Sequence, residues 1–292
     1  MRVGLNLPNY SDLGTTDAIT AIAEAAQELG FAVLWATDHV LMPTRLPEPY
    51  GRLLEPITAL SYLAAKTTTI GLATSVLVLP QRDPLLAAKQ VATLHELSAG
   101  RVTLGVGVGW VEEEYGYLRT DFRRRGRLAD EYLAVIRDLF EAEQPGFSGP
   151  TINYQDVIFS PKPRTALPIV IGGTSPAALH RAATLGDGWH GIRQTPDEIR
   201  RTVARLRANQ LRPGFEISQR AWFRIGDATH PADPAVGLFG SVDSVIEAAQ
   251  AYAAAGVQQL VVEPTTRELA VFLDQMTSFA RDVLPAVAAS AP

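Results

Sequence analysis

An acid and an imidazole, Asp38 and His39, stand side by side where the apolar run LWATDHV ends. Histidine titrates near neutrality, so it can give or take a proton at physiological pH. A carboxylate beside it could orient the ring or hydrogen-bond a ligand. The same pair also serves as a plain loop cap, with the aspartate bonding its own turn. Two glycine-rich stretches lie further on. In GVGVGW, residues 105–110, Gly107 and Gly109 would let the backbone approach a flat ligand that side chains would exclude. The spacing is G-x-G-x-G rather than the dinucleotide pattern G-x-G-x-x-G, and a tight strand-to-helix turn accounts for the same small residues. In GGTSP, residues 172–176, Gly172, Gly173, Thr174 and Ser175 run into a helix, an arrangement that offers free backbone N–H groups to an anion.

These residues need elements to carry them. Strand-like runs at 3–7, 31–36, 70–78, 102–106, 168–171, 189–192, 217–225 and 259–263 alternate with helical stretches. The helices are expected at 17–29, 56–66, 84–97, 123–141, 175–185, 196–208, 241–255 and 267–286. Asp83-Pro84 and Thr195-Pro196 each set a capping side chain before a proline in the first turn. Gly30 and Gly186 fit positions just past a helix end. Eight strand–helix units predict an α/β fold, a (β/α)8 TIM barrel, with an open doubly wound sheet as the alternative. One stretch breaks the alternation: residues 145–164, an aromatic-containing insertion between the fourth helix and the fifth strand, long enough for its own hairpin. The chain is expected to form one domain over 1–292, with the AVAASAP end as a tail. In a barrel, function sits at the carboxyl ends of the strands. Asp38-His39, the glycine turns, His190, Arg224 and Glu263 all fall there.

Composition narrows the classes. The chain has 292 residues, 47% hydrophobic and 20% charged, with 31 acids against 26 bases for a net charge of −5. That balance offers no footprint for nucleic acid. Cysteine is absent, which removes disulfides, thiolate nucleophiles and Cys-ligated metals, and no compact His/Asp/Glu set suggests a metal. There is no signal-like N-terminus and no apolar run of membrane-spanning length, so no membrane partner and a cytoplasmic location are expected.

Three blocks carry a family resemblance: ELGFAVLWATDHV, IGLATSVLVLPQRDPLLAAKQVATLHELSAGRVTLGVGVGWVEEEY and IVIGGTSPAALHRAATLGDGWHG. In this order they resemble the bacterial luciferase-like monooxygenase superfamily, and within it the branch that uses coenzyme F420, a deazaflavin hydride carrier. The resemblance implies a barrel with the ring lying across its carboxyl-end mouth. It places Asp38 and His39 against the ring, His39 as the catalytic group and Asp38 orienting it or bonding the cofactor. It matches Ser75-Val76 to a non-prolyl cis peptide behind the ring, Gly107 and Gly109 to the segment beside it, and Gly172, Gly173, Thr174 and Ser175 to the phosphate loop. Sugar-phosphate dehydrogenases of this kind carry a glutamate where this chain has Trp110. The lysines, Lys66, Lys89 and Lys162, all precede the later strands. A sugar phosphate is therefore disfavoured. Trp110, His190 and the aromatic insertion instead suggest an apolar or aromatic small molecule as substrate. FMN with oxygen is the alternative cofactor chemistry, and a non-catalytic flavin-binding barrel a third reading. Relatives are often homodimers.

Overall fold

The computed structural model describes residues 1–46, 48–226 and 236–288. Eight parallel strands close on themselves: β1 Arg2–Leu7, β2 Val33–Ala36, β3 Gly71–Thr74, β4 Val102–Gly107, β5 Ile169–Gly172, β6 Gly188–Ile192, β7 Glu216–Ile225 and β8 Gln259–Pro264. Closure runs through the pairing of β1 with both β2 and β8 and of β7 with both β6 and β8. The outer ring is α1 Thr16–Glu28, α2 Pro56–Ala64, α3 Pro84–Leu97, α4 Arg125–Glu141, α5 Pro176–Leu185, α6 Pro196–Arg207, α7 Val242–Ala254 and α8 Leu269–Ser278. The expected (β/α)8 barrel is present. None of its described helices is long and apolar enough to cross a membrane.

The strands are apolar on both faces because both faces are covered. One alternate set, including Leu5, Leu34, Leu72 and Leu104, packs outward against the helices. The other, including Val33, Trp35, Ala73, Val170 and Val261, fills the barrel. Asp83 caps α3 through the Leu86 N–H at 2.9 Å, and Thr195 with Glu198 closes a capping box on α6. Gly30 has φ +83, as its place beyond α1 requires. Gly186 does not share that geometry: its φ is −94, and what excludes a side chain there is the Ala182 carbonyl, 2.8 Å from where a Cβ would lie. Residues 289–292 of the expected tail lie outside the described residues.

Two differences from the sequence reading matter for the site. The third strand is broken: β3 stops at Thr74, the Ser75–Val76 peptide is cis, and the chain resumes as the short strand Leu77–Val78 against β4. Thr74 explains where pairing stops. Its Oγ1 accepts from the Gly105 N–H at 3.0 Å and donates to the Gly105 carbonyl at 2.7 Å, taking over groups that the ladder would use. The second difference concerns the insertion. It does form a hairpin, Phe147–Ser148 against Asn153–Tyr154, but this is tied to α4 through Glu131 and Asp138. The stretch 163–168 that follows lies with Arg2, Val33 and Thr103 at the starts of the strands. A helix-to-strand connection emerges at the amino end of a barrel. The insertion therefore cannot supply aromatic walls to a site at the carboxyl end.

Candidate active site

Alternation along β2 turns Val33 and Trp35 into the barrel, and the chain beyond Ala36 delivers Thr37, Asp38 and His39 to the carboxyl-end mouth. His39 is 7% exposed. Its Nδ1 lies 3.0 Å from Oε2 of Glu114. Glu114 sits on the short helix Glu112–Tyr117 and is 1% exposed. That carboxylate is fully committed: Oε1 accepts from the Val40 and Leu41 N–H groups, and Oε2 also accepts from Gln81 Nε2 at 3.3 Å. Burial alone would push Glu114 up, but hydrogen bonds from His39 and those two backbone groups outweigh it and hold the carboxyl below its ordinary range. An ionised carboxylate only accepts, so Nδ1 carries a proton and Nε2 is the ring nitrogen left to face a ligand. The Tyr50 ring stands 4.8 Å from the imidazole, and that of Trp110, 58% exposed, stands edge-on at 5.9 Å.

The orienting acid expected next door is elsewhere. Asp38 accepts from Arg82 at 2.6 Å and from the Val78 N–H at 2.8 Å, so its two oxygens hold the strand after the cis peptide. Burial raises the Asp38 carboxyl, against the pull of Arg82. The residue that aims His39 is Glu114, the last of three consecutive acids in the first turn of the helix Glu112–Tyr117. Glu113 pairs with Arg45 at the surface; Glu114 turns inward. A signal was present. Val111, Glu114 and Tyr115 fall at i, i+3 and i+4, so the acid lies on the apolar face of its helix.

Val76 sits half-buried over three glycines. A Cβ on Gly107 would meet Val76 Cγ2 at 2.5 Å, and one on Gly172 would meet Val76 Cγ1 at 3.1 Å. A Cβ on Gly105 would collide with the Thr74 carbonyl at 1.9 Å. The glycines thus make room for the Thr74–Val76 bulge rather than for a ligand directly, a correction to the expectation for Gly107. Gly109 has φ +62 and packs on Val78, which explains it as a turn. Beside this floor, Gly173, Thr174 and Ser175 are exposed ahead of α5. Ser175 is its N-cap, accepting from the Ala178 N–H at 3.2 Å. Pro176 has no N–H, and those of Thr174 and Ala177 meet no protein acceptor among the described residues. A flat ring with an anionic tail fits these features: an apolar seat at Val76, the imidazole at one side, and N–H donors at a helix start.

His190, expected to touch substrate, does not reach the mouth. It is 0% exposed, stacked on Trp35 at 4.4 Å, with Nε2 2.9 Å from Ser75 Oγ and Nδ1 2.9 Å from Ser218 Oγ. Burial, with a contribution from Arg220, depresses it to about 3, so it is neutral and supports Ser75 from below. On the opposite side of the mouth, Tyr10 donates to Glu263 Oε1, while Arg220 bonds Glu263 Oε2 at 2.7 and 3.0 Å and Tyr10 at 2.8 Å. Tyr50 links the two halves, its ring 5.2 Å from that of Tyr10. Tyr50 comes from the connection after β2, which the sequence reading left without a role. A cavity of about 540 Å³ opens over Tyr10, Tyr50, Arg220 and Glu263. A larger one, about 650 Å³, lies at the amino end, where Arg2, Arg137 and Arg212 are each paired with an acid. Trp35 and Ser218 reach it from the barrel interior, but His39, Glu114, Tyr10, Tyr50, Arg220 and Glu263 do not line it.

A closed parallel barrel with polar chemistry at its carboxyl ends is the frame of an enzyme. The family model for luciferase-like monooxygenases matches residues 1–285, and the chain belongs to that family, whose members are oxidoreductases and monooxygenases. An uncharacterised protein of Mycobacterium tuberculosis is 32% identical over 213 residues, 67% of this chain and 74% of the relative. The F420-dependent hydroxymycolic acid dehydrogenase of the same organism is 31% identical over 177 residues, 60% of this chain and 48% of that protein. The solved structure of the oxygenating constituent of 3,6-diketocamphane monooxygenase from Pseudomonas putida, in complex with FMN, superposes with a TM-score of 0.80. It is 16% identical, with 98% of each chain covered, and so shares the fold.

Proposed function

We propose that this protein is a deazaflavin oxidoreductase, transferring a hydride between coenzyme F420 and a small organic molecule at the carboxyl-end mouth. The observation that carries it is the His39–Glu114 pair, buried beside the Val76 seat, with an imidazole whose Nε2 is kept available. The similarity to an F420-dependent dehydrogenase supports the same choice. When bound, the deazaflavin supplies the hydride chemistry. Val76 would seat the ring, and Thr174, Ser175 and the start of α5 would hold its phosphate. Gly172 and Gly173 shape that loop, and Asp38 holds the Val78 strand in place from behind.

The chain's own residues handle the proton. Glu114 fixes the Nδ1–H tautomer, so Nε2 accepts a proton when a substrate hydroxyl becomes a carbonyl and returns it in the reverse direction. The negative charge of Glu114 stabilises the imidazolium in between. Trp110 and Tyr50 flank His39 and limit the access of water to it.

Fluorescence titration of purified protein with oxidised F420 and, separately, with FMN tests the assignment. Micromolar F420 binding with FMN at least tenfold weaker is expected. Tight FMN binding with none for F420 would reassign the protein to flavin-dependent oxygenation.

A further inference from the structure

The cavity of about 540 Å³ between β1, β7 and β8 is strongly positive. Among the described residues, Arg193, Arg220, Arg224 and Arg267 line it against a single acid, Glu263, four positive charges to one negative. Two of the four are already neutralised. Arg220 is locked on Glu263 at the floor, and Arg267 reaches Glu48 at the rim at 2.8 Å. Arg193 and Arg224 have no carboxylate partner among the described residues. The guanidinium of Arg193 lies over the Trp222 ring at 4.0 Å, which leaves its N–H edge open. Among the described residues Arg224 makes one long bond, 3.4 Å, to the Thr265 carbonyl.

Unpaired guanidiniums in a walled cleft concentrate anions, because the low-dielectric walls focus their field. Their planar fork matches the two oxygens of a carboxylate, which a lysine ammonium does not. The volume exceeds what a free inorganic anion fills and falls within the range of sites for small organic ligands. Tyr50 and Trp222 supply flat apolar walls, and the Tyr50 ring also stands 4.8 Å from that of His39, so the cleft borders the imidazole across that ring.

We propose that this cleft holds the acid end of the substrate: a small organic carboxylate gripped by Arg193 and Arg224, its body lying against Tyr50 and Trp222 with the reacting centre toward His39. This deepens the oxidoreductase reading of the same mouth, on which it rests, and replaces the apolar substrate expected from the sequence. The insertion that supported an apolar substrate lies at the other end of the barrel, and the sequence placed Arg224 at the carboxyl-end face without a role and gave Arg193 none.

The test uses the whole protein without cofactor, so that failure of the F420 titration and failure here are separate results. Ligand-observed NMR measures Kd for benzoate, phenylacetate and hexanoate, each beside its primary amide. Acids are expected to bind at least tenfold more tightly than their amides, and increasingly weakly as salt is added. Arg193→Gln and Arg224→Gln should each remove most of that preference, and Arg224→Lys should keep part of it. Equal affinity for acid and amide, binding of neither in all three pairs, or an undiminished preference in both glutamine variants would overturn the proposal. Affinity for F420 is read on the same variants and should stay within twofold of wild type. A drop as large as the drop for the acids would assign the arginines to an anionic part of the cofactor and would also overturn it.

Discussion

Replacing Glu114 by glutamine tests the core of the site with one atom changed. The side chain has two distinct ends: Oε1 takes the Val40 and Leu41 N–H groups, and Oε2 takes Nδ1 of His39 and Nε2 of Gln81. A glutamine must keep its oxygen on the two backbone donors, which have no other protein acceptor at hand. Its NH2 then faces His39. A donor opposite Nδ1–H is unfavourable, so the imidazole moves its proton to Nε2 and accepts at Nδ1. The group facing the mouth changes from acceptor to donor. Loss of proton transfer by a positioned side chain costs roughly 10²–10⁴ in rate. Stability falls by only about 1–3 kcal/mol, the cost of disturbing one buried hydrogen-bonding group. The measurements are turnover with any substrate that wild type processes, F420 affinity by fluorescence, and the His39 tautomer from imidazole 15N shifts. Turnover should fall about a hundredfold or more, with cofactor affinity within about threefold, a difference of under 1 kcal/mol. Wild-type turnover in a variant whose tautomer has inverted would refute the role of His39. An unchanged Nδ1–H tautomer would refute the role of Glu114.

Three further outcomes follow from the same geometry. His39→Ala should lose about a hundredfold or more in turnover while still binding F420, which steady-state kinetics beside a titration will show. Gly107→Ala drives a methyl group into Val76, whose Cγ2 lies 2.5 Å from it, so F420 affinity should drop about tenfold. Adding Val76→Ala should restore much of it, and wild-type affinity in the single variant would remove Val76 as the seat. His190 is held neutral to about 3, whereas the unfolded chain takes up that proton near 6.5. Its contribution is therefore complete above about pH 6.5 and is lost as pH falls toward 3, at up to about 1.4 kcal/mol per unit. Urea denaturation between pH 4 and 6 should show a shallower loss of stability in His190→Gln than in wild type.

The barrel was legible because its strands are short continuous apolar runs and its helices carry real caps, as at Asp83 and Thr195. Asp38-His39 was legible as a candidate because the carboxyl ends of barrel strands carry the site, but that Asp38 holds Val78 and Arg82 rather than the imidazole was not. What escaped was pairing across distance. Glu114 lies 75 positions from His39, and among three consecutive acids only the inward turn of its helix distinguishes it. The break in the third strand depends on Thr74 finding Gly105, and the glycines that looked like ligand contacts are explained by Val76 above them. Arg193 and Arg224 meet in one cleft only because β6 and β7 are neighbours in the closed sheet.

The most direct test of the site is a crystal structure of the protein with oxidised F420. The ring is predicted to rest on Val76 with a polar edge or bound substrate atom within about 3.2 Å of His39 Nε2, the reach of a proton-transfer partner. Its phosphate should lie on the Thr174 and Ala177 N–H groups. A ring bound away from Val76, at the amino-end cavity or with His39 out of reach, would contradict the account.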